Sequence, residues 1–264
     1  MGGKYVMLVD ETIRHEGRTL YRVQAVKDFN DVKSGDKGGW IQTEENLSQD
    51  GLCWLYNDAK VYDDAKVEKN ATLRDNVCVF GNAYIGGSVK CSENVIIKDN
   101  ARVFGDVILQ YFVQVYENAN ISDRVTVSNR AHIHGNASLS GDVYVGDNVN
   151  IYGHAMLTGF TYVEDDVVIY GDVVLGSDDI ICGDAVIDSN KSFITFVVNE
   201  DDERKHVVTY SASNMMWSLD WLGSLTTEEF LKHEKTVSEH AYRLAQQYVG
   251  VVKAIYFDTK QQNV

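Results

Sequence analysis

The chain has 264 residues, no proline, and 24 Lys+Arg against 39 Asp+Glu, for a net charge of −15. Average usage near ~5% would give roughly 13 prolines. The acid excess argues against direct nucleic-acid binding, because neutralising phosphates takes Lys and Arg. Four cysteines (Cys53, Cys78, Cys91, Cys182) form no CxxC pair, so neither a disulfide framework nor a zinc module is expected. The opening MGGKYVMLVD lacks the ~7–15-residue apolar core of a signal peptide, and no apolar run nears the ~18 residues of a membrane span. These features point to a cytoplasmic protein without membrane contact.

Residues 1–56 read as an N-terminal β cap, with short strands at LYRVQAV (20–26) and GGWI (38–41). A six-residue frame then runs without a slip through 57–188. Stepping by six from Ala59 to Ala185 meets Ala or Val at 20 of 22 positions, the exceptions being Thr161 and Asp179. Two residues after each stands Val, Ile or Leu, with Cys91 as the one substitute. Sites two apart share a strand face, so both point inward. The intervening Gly, Asn or Asp marks a corner, since these residues tolerate positive φ. Three corners close a triangle every 18 residues. The series 61, 79, 97, 115, 133, 151, 169, 187 is β-branched throughout, as one side of a prism would be. The 22 hexads predict about seven triangular coils of parallel strands, in which proline could not supply its ladder N–H.

DFNDVK (Asp28 to Lys33), GGW (Gly38 to Trp40), LSQ (Leu47 to Gln49) and the G-x-C-W-x-Y of Gly51, Cys53, Trp54 and Tyr56 resemble the opening of the YdcK-like family of hexapeptide β-helix proteins. That resemblance implies a single-stranded left-handed parallel β-helix, often labelled a transferase, and carries over no catalytic residue. The cap residues are read as packing groups.

Residues 189–264 read as a small α+β C-terminal domain. Three short strands (SFITFVV, HVVTYS, MMWSLDWL) precede a helix opened by a Thr226–Glu229 capping box, with Leu225 and Phe230 at staple positions. A longer amphipathic helix follows over 237–257, with Ala241, Leu244, Ala245, Tyr248, Val252 and Ile255 on its apolar stripe. WLGSLTTEEFLKHEKT and this helix are similar to a C-terminal module of phage-encoded hexapeptide-repeat proteins, which implies a phage or prophage origin.

Many relatives of the fold are acyltransferases that set a catalytic His beside a long loop between coils. Here the frame carries no insertion, which weakens an enzymatic reading. His134 is the weak catalytic candidate, with His132 beside it, and no Asp or Glu is expected one coil away in their columns. No metal site is expected, because a zinc ion would lack its third ligand, and no cofactor is implied. An outward column reads Tyr62, Phe80, Lys98, Tyr116, His134, Tyr152, Tyr170 and Asp188, and is taken as a binding surface or a stacked ladder. Between 131 and 190 there is no Lys or Arg, against ten acidic residues that include Asp165, Asp166, Asp172, Asp178, Asp179 and Asp184.

The leading expectation is a non-enzymatic phage-type interaction protein. Its acidic β-helix would bind a protein partner with a basic groove, for example as an inhibitor of a host nucleic-acid-binding defence protein. The alternative is a hexapeptide-type acyltransferase with an acyl-CoA donor. The second alternative is a scaffold that forms a homo-oligomer, dimer or trimer.

Overall fold

In the computed structural model, residues 2–176, 179–200, 204–219 and 222–257 are described, the side chains of 197–200 and 204–206 excepted. The six-residue frame appears directly in the backbone. From Asn57 to Gly183, every sixth described residue has positive φ, whether glycine, Asn, Asp, or the less accommodating Lys69, Glu93, Tyr111 and Glu117. Between these corners lie strands mostly two residues long, each with one inward side chain at 0–2% exposure.

Strands 18 residues apart pair in parallel, giving three faces. The first runs from Lys60–Val61 to Val186–Ile187, the second from Lys66–Val67 to Val174–Leu175, and the third from Trp54–Leu55 to Asp179–Ile181. The result is a parallel β-solenoid of about eight turns, mainly β as expected. The Ala, Val, Leu and Ile of the repeat form one continuous core along its axis. The two departures from the small inward series satisfy their own polar groups. Thr161 donates its hydroxyl to Thr158 O at 2.7 Å, and the Asp179 carboxylate accepts from Gly176 N at 2.8 Å.

The eighth turn lies before the point where the repeat becomes visible. Ile41 pairs in parallel with Val61, Leu47 bridges Val67, and Leu55 pairs with Leu73. The spacing between Leu47 and Leu55 is two residues longer than a hexad, which hides this coil from a six-residue count. Gly38 and Gly39 belong to its strand, Lys37–Ile41. A Cβ on Gly39 would lie 2.3 Å from Ala59 O, and one on Gly38 would lie 2.6 Å from Trp54 and Val23. The glycines are therefore dictated by packing.

An antiparallel hairpin, Tyr5–His15 and Arg18–Ala25, extends the first face beyond this coil. Lys4 is buried there, and its ammonium donates to Asp50 O at 3.2 Å, Gly51 O at 3.4 Å and Cys53 Sγ at 3.1 Å. Burial pushes the Cys53 thiol pKa up, against the lowering influence of Lys4. Among the described residues none of the four cysteines forms a disulfide.

At the other end, a four-stranded antiparallel sheet covers the last coil: Phe193–Glu200, Arg204–Ser211, Met216–Leu219 and Gly223–Leu225. A terminal coil leaves ladder groups unpaired, and buried ones need partners. Side-chain hydroxyls supply them. Thr209 Oγ1 donates to Ile180 O at 3.0 Å, and Ser211 Oγ donates to Val186 O at 2.6 Å while accepting from Val186 N at 3.2 Å. Helix α1 (Thr227–Val237) has the expected Thr226–Glu229 capping box and buries Phe230. Helix α2 (Glu239–Tyr256) buries Ala241, Ala245, Val249 and Val252, whereas Ile255, expected on the stripe, is exposed. Among the described residues no helix is long and apolar enough to cross a membrane.

Candidate functional site

The outward column of the first face is a ladder of rings whose faces cover one another. Tyr62 stacks on Phe80 with centroids 5.0 Å apart. After an interval the stack resumes with Lys98 over Tyr116 (5.1 Å), Tyr116 on His134 (4.6 Å), His134 on Tyr152 (5.0 Å) and Tyr152 on Tyr170 (5.2 Å). These spacings follow the ~4.8 Å separation of parallel strands, so ring stacking and backbone pairing reinforce each other. Flat ligands therefore find edges rather than open faces along the resumed stack. Tyr62 is not on the surface at all: it is 1% exposed beneath the N-terminal hairpin. His15 meets its edge, Arg18 lies 5.0 Å from its ring centre, and its hydroxyl donates to Glu16.

His134 is half-buried within the ladder. Its Nε2 lies 3.1 Å from Asn150 Oδ1, an acceptor, which places a proton on Nε2. Its Nδ1 faces Glu117 Oε2 at 3.7 Å. The expectation of no acidic neighbour is thus corrected: the carboxylate reaches the ring from a corner residue, outside the outward strand columns. That carboxylate also accepts from Gly135 N at 2.7 Å. Both ring faces of His134 are covered by Tyr116 and Tyr152, Nε2 lies against Asn150, and Nδ1 faces the Glu117 carboxylate without a hydrogen bond to it. Burial, and then the neighbouring His134, lower the His132 pKa. Among the described residues no three His, Cys, Asp or Glu side chains are placed to hold a metal.

Several of the acidic residues have structural duties. At six corners a carboxylate accepts the backbone N–H of the residue 18 positions ahead: Asp63 to Gly81, Asp75 to Glu93, Asp99 to Glu117, Glu117 to Gly135, Asp123 to Gly141, and Asp165 to Gly183. Beside them Asn82, Asn100, Asn118 and Asn136 form an amide ladder with 3.1 Å steps. Asp166 accepts from Asn148 at 2.8 Å. Asp172 and Asp184 are exposed, and the backbone of Asp184 is held by Ser224 and Asn214 of the C-terminal domain. Asp178 lies outside the described residues.

A second ring stack, Tyr144 on Tyr162 at 4.7 Å on the third face, was missed by the sequence reading. The Tyr162 hydroxyl donates to Glu164 at 2.6 Å, and burial first, then this bond, raises its pKa. Comparing the 18-residue columns of all three faces would have exposed the pair.

No protein-family model matches the chain. Over 71 residues it is 35% identical to the uncharacterized acetyltransferase YdcK of Escherichia coli (strain K12), a stretch covering 26% of this chain and 22% of that protein. The match thus spans less than a quarter of that relative. Together with the unbroken solenoid, it fits a β-helix of the hexapeptide-repeat type.

Proposed function

We propose that the chain is a non-catalytic binding protein that presents its acidic final coils to a protein with a basic surface. One observation carries this reading: ten acidic residues and no Lys or Arg between 131 and 190, nine of the ten on the described part of the chain. Asp147 and Asp165, and Asp166 and Asp184, stand one coil apart, and with their acidic neighbours they give a negative patch that complements a basic surface. The resemblance of WLGSLTTEEFLKHEKT and the helix after it to a phage-encoded module suggests a specific form of the reading, in which the partner is a host defence protein that handles nucleic acid. Affinity capture from a lysate of the encoding organism tests the proposal, comparing wild type with a variant carrying Asp166→Asn, Asp172→Asn, Asp184→Asn and Asp188→Asn. The net charge moves from −15 to −11 while the corner-capping Asp165 is spared. Loss of one specific captured protein, with an unchanged circular dichroism spectrum, is expected. Equal capture by both proteins would overturn the charge-based reading.

The match to an acetyltransferase favours a second reading, acyl transfer from an acyl-CoA with His134 as base. In the tautomer with the proton on Nε2 the basic atom is Nδ1, which a substrate must reach beside Glu117. Saturable calorimetric binding of acetyl-CoA, with transfer lost in His134→Ala, would support it. No binding at millimolar acetyl-CoA would remove it.

A further inference from the structure

Among the described residues carboxylate caps close six corners, and several other corner amides carry none; one uncapped row, in the opposite half of the solenoid from the acidic coils, is flanked by cations. Along the corner between the second and third faces, the capping positions of three successive coils hold Lys69, Gly87 and Gly105 instead of a carboxylate. Among the described residues the backbone N–H groups of Gly87, Gly105 and Asp123 meet no acceptor. The two glycines also leave these donors uncovered. A Cβ on Gly87 would sit 2.5 Å from Gly105 N, and one on Gly105 would sit 2.7 Å from Asp123 N.

A groove of about 630 Å³ lies over this row, and its walls include Lys69, Tyr84, Ser88, Arg102 and Phe104. That volume falls within the ~300–1,000 Å³ typical of small-molecule sites. Lys69 and Arg102 are exposed, and neither forms an ion pair among the described residues. The Arg102 guanidinium lies 5.8 Å from the Tyr84 ring centre, while the Tyr84 hydroxyl donates to Glu68 at 3.3 Å. Phe104 is exposed at the rim. Two cations with no ion-pair partner among the described residues thus flank a row of open amides and an apolar ring in one groove. Other glycine corners lack this combination: the Gly135 amide is closed by Glu117, and the Gly153 and Gly171 corners lie where Lys and Arg are absent.

We propose that this groove binds a phosphate monoester. Its phosphoryl oxygens would take the place of the missing corner carboxylates, accepting from the row of amides while Lys69 and Arg102 balance the dianion. Its organic remainder packs on Phe104. Several donors in line with two cations match a group that carries three acceptor oxygens, and Arg is suited to paired phosphate contacts. The site is separate from the acidic coils and independent of the function proposed for them.

Calorimetry on the full chain at low salt, with AMP, inorganic phosphate and adenosine as probes, tests the assignment. AMP and phosphate bind at one site, AMP more tightly, and adenosine does not bind. Arg102→Gln and Lys69→Gln each weaken AMP about tenfold, the loss of one charge-assisted bond. Phe104→Ser brings AMP down to the affinity of inorganic phosphate. Gly87→Asp supplies the carboxylate that other corners carry, and abolishes binding of both anions. Arg102 is exposed, so its variant keeps the fold and the test stands even if the Gly87 variant does not fold. Absence of phosphate and AMP binding at millimolar concentration, AMP affinity unchanged in Arg102→Gln, or adenosine binding as tightly as AMP would each overturn the proposal.

Discussion

Asp165 carries two structural burdens that substitution can separate. It sits at φ +71, and its carboxylate accepts the Gly183 N–H at 2.8 Å. A hydrogen bond to a charged group contributes about 1.5–3 kcal/mol, and partial exposure at this corner places it near the lower end. Holding a residue with a Cβ in the left-handed region costs a further ~1–2 kcal/mol, which Asp and Asn offset better than Ala. Asp165→Ala loses the bond and incurs the backbone cost, for about 2–4 kcal/mol. Asp165→Gly loses the bond alone, for about 1–2 kcal/mol. Asp165→Asn keeps an acceptor and tolerates the backbone, and costs under about 1 kcal/mol. Urea denaturation followed by far-ultraviolet circular dichroism gives the order. Because solenoid stability is built coil by coil, hydrogen exchange at the Gly183 amide locates the effect. A Gly variant as unstable as the Ala variant would refute the backbone argument. An Ala variant indistinguishable from wild type would refute the cap as well.

Gly39→Ala drives a Cβ to 2.3 Å from Ala59 O and 2.9 Å from Leu55 Cβ, and costs about 3 kcal/mol. Limited proteolysis would read it as release of the N-terminal hairpin. Ser211→Ala removes both hydrogen bonds to Val186 at a fully buried position, so about 1–3 kcal/mol is lost and exchange at the Val186 amide accelerates. The Tyr56 hydroxyl donates to Asp31 at 2.5 Å. Burial, then this bond, pushes the Tyr56 pKa up to about 12, while the bond holds Asp31 below its ordinary value. The raised phenol contributes stability below pH ~10 that is lost between about 10 and about 12. The depressed carboxylate contributes stability above pH ~4 that is lost as pH falls through its lower folded value. A plot of melting temperature against pH should therefore fall on both flanks, and Tyr56→Phe should flatten both.

The solenoid was readable because its cause is local: a small residue, a large residue and a corner recur every six positions, and each acts on its own backbone. The first coil escaped because the two extra residues between Leu47 and Leu55 break the count without breaking the parallel pairing. The aromatic column was visible as a column, but the burial of Tyr62 depends on a hairpin about 45 residues earlier, a contact no period encodes. The acidic residues were legible as charge and illegible as caps. Their role appears only when a side chain at one corner is compared with the backbone amide 18 positions on. The same comparison reveals Glu117 beside His134 and the uncapped row over Lys69, Gly87 and Gly105.

The proposed role is binding through the acidic final coils rather than catalysis at His134. Hydrogen exchange measured by mass spectrometry, with and without the captured partner, tests it most directly. The account predicts slowed exchange in peptides spanning 142–188, centred on the corners at Asp166 and Asp184, with little change around Tyr116 and His134. Protection concentrated at Tyr116, His134 and Tyr152, or confined to helices α1 and α2, would contradict it.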